Sequence, residues 1–154
     1  MIIHDKSNVK EFLKMLEELK SISIEIGILG DDKGGDKHKG SDITVLEIAT
    51  IHEFGAPKAN IPSRSFIRAG YDSNKNKIIS QGEKLLENVI GLKLDPDIFL
   101  ETMGENAVGM IQEHLTNLKS PPLKQTTIKR KGSSQPLIDT GQLRSSITHK
   151  IKKG

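Results

Sequence analysis

The sequence predicts an α+β fold: a small, mostly antiparallel sheet packed by three to four helices, with exposed loops and arms. Two patterns carry this. Ile22, Ile24, Ile26 and Ile28 alternate with Ser23, Glu25 and Gly27, the period-two signature of a strand with one buried face. Long stretches on either side instead repeat apolar residues at helical spacing. A single domain over 1–154 suits the length, since most domains hold roughly 100–150 residues.

Val9, Phe12, Leu13, Leu16 and Leu19 form a helical stripe over residues 8 to 20, with Ser7 or Asn8 as the cap. The strand follows, over 22 to 29. From Gly30 to Ser41 no apolar side chain occurs, which predicts a mobile glycine-rich loop. Ser41 or Asp42 would then cap a helix ending at Phe54, stopped by Gly55 and Pro57. Ile43, Val45, Leu46, Ile48, Ala49 and Ile51 leave that helix almost no polar face, so it is expected to be the most buried one. After an irregular stretch and the segment Arg64–Tyr71 comes a helix carrying Ile78, Ile79, Leu85, Leu86, Val89 and Ile90, closed by Gly91. Asp95 before Pro96 opens a long helix to about Leu118, because Pro is tolerated at the first helical position. Residues 119–136 read as an exposed basic arm. Residues 143–151 read as a C-terminal strand segment able to pair with the first strand.

Composition narrows the chemistry. Hydrophobic residues make up 34%, below the ~45–50% apolar usage (Gly included) of ordinary globular chains, which predicts a modest core whose burial is finished against partners. Aromatic side chains amount to 3%, too few for the stacking platforms of single-stranded nucleic-acid binders. With no Cys, there is no disulfide framework, thiolate metal site or cysteine nucleophile. No run approaches the ~18 apolar residues of a membrane span, so the chain is expected in the cytoplasm unless a larger assembly carries it elsewhere.

The net charge of +3 is unevenly spread. From Lys119 onward nine Lys or Arg face one acid, Asp139, giving +8; the first 118 residues, with 14 bases and 19 acids, hold −5. Lys124, Lys129, Arg130 and Lys131 are therefore candidate contacts to DNA phosphates or to an acidic partner, a solvated lysine-rich tail being the plainer alternative.

No motif for catalytic or cofactor chemistry is complete in the sequence. The glycine loop lacks the Lys-[Ser/Thr] of a phosphate-binding loop, and its acids miss calcium-loop spacing. His52-Glu53 would need a second His at position 56, which is Ala56. No Gly-x-Ser-x-Gly elbow occurs. The expected cofactor set is empty, and no metal or catalytic residue is assigned.

Three segments stand out instead: Ile51-His52-Glu53-Phe54-Gly55; Ile61-Pro62-Ser63-Arg64-Ser65-Phe66-Ile67-Arg68; and Pro136-Leu137-Ile138-Asp139-Thr140-Gly141-Gln142-Leu143-Arg144-Ser145-Ser146-Ile147-Thr148. By themselves the first two read as a corner, with a capping Gly, a Pro turn and two arginines lying along the next helix or facing a partner. In order and in content the three resemble the tail-completion, or head–tail joining, proteins of tailed bacteriophages and prophages. These commonly carry an I-H-E-F-G block, a P-A-R-P-F-[L/I]-R block and an L-[VI]-D-T-G-x-L-R-x-S-I block. Ser63 and Ser65 replace the usual Ala and Pro, which predicts a looser turn with an extra backbone N–H.

The resemblance implies a structural virion protein without catalytic residues, forming a hexameric or similar ring at the neck–tail junction and present in the host cytoplasm during assembly. Its implied partners are further copies of itself, neck or connector proteins, tail-tube or tail-terminator proteins, and genomic DNA in the lumen. Ile51, His52, Glu53, Phe54, Gly55, Pro62, Arg64, Phe66 and Arg68 would build the corner. Leu137, Asp139, Thr140, Gly141, Leu143, Ser146 and Ile147 would build the turn into the last strand, with Gly141 at φ > 0. The competing reading is a DNA-binding module using the basic C-terminal segment; an enzyme is the third and weakest.

Overall fold

The computed structural model describes residues 7–30, 35–132, 134–137 and 141–154. Helix α1 (Ser7–Lys20) leads into strand β1 (Ile22–Gly27); then come α2 (Val45–Phe54), a 3-10 turn (Pro57–Ala59), α3 (Ile67–Ile90), α4 (Pro96–Asn117), α5 (Gln125–Lys131), α6 (Gln142–Ser145) and β2 (Thr148–Lys153). The α+β class holds, with six helices against one two-stranded antiparallel sheet among the described residues. The side chains of Ser7 and Asn8, expected as caps, lie outside the described residues, as do Asp31–Gly34 of the glycine loop.

β1 and β2 pair in the register that alternation requires, with Ile24 opposite Ile151 and Ile26 opposite His149. Their apolar face lies on α4, which also packs along α3. The core joins Ile28, Val45, Ala49, Phe66, Val108, Ile111, Leu115, Leu137, Leu143 and Ile147. Gly104 of α4 lets the His149 ring lie directly on the helix backbone, where a Cβ would collide with the ring. His149 Nε2 meets Glu101 Oε2 at 2.9 Å, which pins β2 to α4.

Several expectations are corrected. α4, not α2, is the most enclosed helix: it buries Leu100, Gly104, Ala107, Val108, Met110, Ile111 and Leu115, whereas α2 buries only Val45, Ala49 and Glu53. α4 is sandwiched between α3 and the sheet, while α2 lies at the edge with Leu46 and Phe54 turned outward. The cap of α2 is Thr44 rather than Ser41 or Asp42. Its side chain accepts from the Glu47 N–H, and the Glu47 carboxylate accepts from the Thr44 N–H, a capping box.

α3 is one continuous helix from Ile67 rather than a separate segment followed by a shorter helix. The 119–136 arm contains α5, ended by Gly132 at φ 71°. The segment expected as a strand over 143–151 begins as α6 and becomes extended only at Thr148. The described part of the glycine loop is fastened: Lys37 bridges Thr44, and the Gln142 side chain bonds both the Lys37 carbonyl (3.1 Å) and the Lys39 N–H (3.0 Å).

Candidate functional site

The three segments singled out above fold against one another. Glu53, in the last turn of α2, is buried and turns its carboxylate onto the start of α3. Oε2 accepts from the Phe66 N–H (2.8 Å) and the Ile67 N–H (3.0 Å); Oε1 accepts from Ser65 Oγ (2.7 Å) and the Arg68 N–H (3.2 Å). The first N–H groups of a helix have no intrahelical acceptor and carry partial positive charge, so an anion there satisfies and complements them. Burial raises the Glu53 pKa, but the hydrogen bonds from Ser65, Ile67, Phe66 and Arg68 outweigh it and hold the carboxyl below its ordinary value.

Ser63 and Ser65 do not loosen this corner. Ser63 Oγ donates to the Glu53 carbonyl at 2.8 Å, and Ser65 Oγ also accepts from the Ala69 N–H. The Arg64 N–H donates to the His52 carbonyl at 2.6 Å. Gly55, at φ 78°, brings its backbone so close to Ser63 that a Cβ would stand 2.8 Å from the Ser63 nitrogen.

The two arginines of the corner part company. Arg64 is buried and donates through Nε and a terminal nitrogen to the Pro121 and Pro122 carbonyls, at 2.8 and 3.1 Å. Arg68 is exposed, its guanidinium 5.8 Å from the centre of the outward-facing Phe54 ring. Of the two roles the sequence offered, lying along the next helix or facing a partner, Arg64 takes neither: it fastens the segment after α4 to the corner. Phe66 is fully buried in the core, with Leu137, Leu143 and Ile147 of the third segment. Gly141 takes φ 77°, as expected, and Ser146 Oγ donates to the Gln142 carbonyl at 2.8 Å. Asp139 and Thr140 lie outside the described residues.

Between α2, the corner, α5 and α6 opens a cleft of about 520 Å³. Ile51, His52, Pro62, Arg64, Leu137, Gly141 and Leu143 all line it, so each of the three segments contributes. Lys124, Arg130 and Lys131 stand on its α5 side; Lys129 is exposed and outside the lining. The lining described here includes no carboxylate. Apolar walls with convergent cations suit an occupant that is apolar and anionic. Sequence reasoning missed Ile43, Ile48, Leu123, Thr127 and Gln142 in this wall. The signal for Gln142 was weak, because its role depends on a loop a hundred residues away.

His52 sits in the cleft wall. Burial and the nearby Arg64 and Lys131 charges lower its pKa to about 4, so it is neutral at pH 7. Its unfolded value is 6.5; between the two the unfolded chain binds a proton that the folded chain does not, and stability falls as pH drops. Discounted for solvent screening, the loss from pH 7 to 4.5 is at most about 2 kcal/mol. Denaturant midpoints at those pH values should fall less for His52→Gln than for the parent; equal drops would contradict this assignment.

Among the described residues no three His, Asp or Glu side chains gather as metal ligands, and no helix is long and apolar enough to cross a membrane. No family model, curated protein or solved structure matches the chain.

Proposed function

We propose that this chain is a structural virion protein of a tailed phage: a ring-forming tail-completion or neck component that joins head to tail. The observation carrying the reading is the union of the three ordered segments in one built unit. Glu53 of the first holds the start of the second, and Leu137, Leu143 and Ile147 of the third share a core with Phe66. The residues that the resemblance pairs in sequence are thus physically interdependent, as expected of a scaffold that presents a surface. Exposed Phe54 gives that surface apolar area to bury on a neighbour, and Leu92 and Ile98 expose more at the far end of the α3–α4 hairpin.

The cationic side chains of α5 favour a second reading, contact with double-stranded DNA, which is compatible with a neck through which the genome passes. Deleting the gene should leave filled heads and separate tails; normal infectious particles would overturn the joining role. DNA contact predicts an affinity whose logarithm falls with log salt by about 0.9 per phosphate neutralised. Failure to bind at low salt would remove it.

A further inference from the structure

We infer that copies of this chain associate head to tail, with the turn between α3 and α4 of one copy seated in the cationic cleft of the next. The inference rests on the ring-forming reading above and names the contact that would build the ring.

The turn is chemically complementary to the cleft. Leu92 is 76% exposed, and Ile90 and Ile98 beside it are 50% and 56% exposed. From Glu83 to Asp97 four carboxylates stand against two lysines; Asp97 also meets Lys153 at 3.3 Å and Asp95 caps α4, so Glu83 and Glu87 are the acids this end offers a partner. The cleft offers the reverse: an apolar wall with the exposed Lys124 and Arg130, backed by the charges of Arg64 and Lys131, which already donate to the carbonyls of Pro121 and Pro122 and of Gln135 and Pro136, and no carboxylate among the described lining. Leu92 is held at φ 56°, a left-handed conformation that costs a non-glycine residue free energy and persists where the surroundings fix it. The Gly91, Leu92, Lys93 and Leu94 N–H groups, bonded to the carbonyls of Glu87, Asn88 and Val89, do the fixing. The tip is therefore pre-shaped before any partner arrives, which lowers the entropy cost of docking.

Placement decides between self-contact and a second copy. α3 begins beside Arg64, at the cleft, and ends at the tip; α4 begins at the tip and ends just before Pro121 and Pro122, the acceptors of Arg64. With 22 residues in α4 and 1.5 Å per residue, the tip and the cleft lie about 33 Å apart along the hairpin. A tip cannot enter its own cleft. Two different complementary patches at opposite ends make a heterologous contact, which gives a ring where the rotation between copies closes and an open filament where it does not.

The chain has no cysteine, so disulfide trapping reads this contact without background. Leu92→Cys and Thr127→Cys chains, mixed under a copper–phenanthroline oxidant, should give a covalent heterodimer. A chain carrying both substitutions should give a ladder. Adding Lys124→Glu and Arg130→Glu to the Thr127→Cys chain should lower the heterodimer yield at least tenfold. Absence of the heterodimer, a yield indifferent to the charge reversals, or Leu92→Cys pairing only with itself would each overturn the contact. Filled heads and free tails from a deletion strain, with no heterodimer, would retire the contact and leave the joining role standing. A heterodimer alongside normal particles from that strain would do the reverse.

Discussion

Glu53→Gln should destabilise the protein by about 3 kcal/mol, although it changes one atom and keeps the shape of the side chain. The carboxylate accepts four hydrogen bonds, three from the first N–H groups of α3 and one from Ser65 Oγ. Bonds to a charged acceptor are worth about 1.5–3 kcal/mol each in isolated tests, and a buried donor left unpaired costs about 1–3. These values do not add in one shared site. An amide supplies one acceptor oxygen and turns an NH₂ donor toward groups that are themselves donors, so Gln repairs little of the loss. Glu53→Ala should cost a similar amount for a different reason, the empty volume replacing the mispaired donor. For a chain of this size the shift in Tm is about 6–12 °C, measurable by calorimetry. A change below about 1 kcal/mol would mean that water replaces the carboxylate at no cost and that the corner is held by packing alone.

The same group sets the acid limb of the stability curve. Its folded pKa is below its unfolded value of 4.5, so its stabilisation is fully present above that pH and is lost as pH falls through the folded pKa. Glu53→Gln should remove this part of the curve and leave the loss between pH 7 and 4.5, which belongs to His52, in place.

Alternation at Ile22–Ile28 and Ile147–Ile151 made the sheet and its pairing legible, because a strand with one wet face writes its geometry into every second residue. The Asp95-Pro96 start of α4 was legible for a similarly local reason: Asp95 Oδ1 does cap the Asp97 N–H, at 2.8 Å. Helix α5 was not legible, since Gln125–Lys131 contains one apolar residue, Ile128, and no stripe to reveal it. The burial of α2 was misjudged because a helix with almost no polar face matches both an interior helix and an edge helix awaiting a partner. Thr44 and Glu47 did carry the capping-box spacing, and they outcompete Ser41 and Asp42, which stand too far upstream. The role of Glu53 left a fainter trace. An acid in the last turn of a helix opposes the dipole, which favours cations there, so its presence implies a partner elsewhere. The cleft itself could not be read, because residues 38 to 143 meet there only through tertiary packing.

Gly55→Ala should cost about 3–4 kcal/mol, and two separable causes produce that loss. The first is conformational: Gly55 stands at φ 78° and ψ 168°, a region essentially reserved for glycine, and forcing an L side chain into it costs about 1–3 kcal/mol. The second is contact. The added Cβ would lie 2.8 Å from the Ser63 nitrogen and 3.2 Å from the Ile61 carbonyl oxygen. Both are backbone atoms, so no side chain can swing aside, and relief requires the Ile61–Ser63 segment of the corner to move. Movement there pulls on the Arg64 N–H bond to His52 and on the Ser63 bond to Glu53, and with them on the mouth of the cleft. Gly132→Ala separates the two causes. Gly132 also has positive φ, 71°, but a Cβ there would meet nothing within 4 Å. It should therefore show a conformational penalty of about 1 kcal/mol with no steric part. Equal effects at the two positions, measured by denaturant titration, would show that the close approach of Gly55 to Ser63 contributes nothing. A larger loss at Gly55, with weakened disulfide trapping at Thr127→Cys, would tie the tightness of the corner to the shape of the cleft.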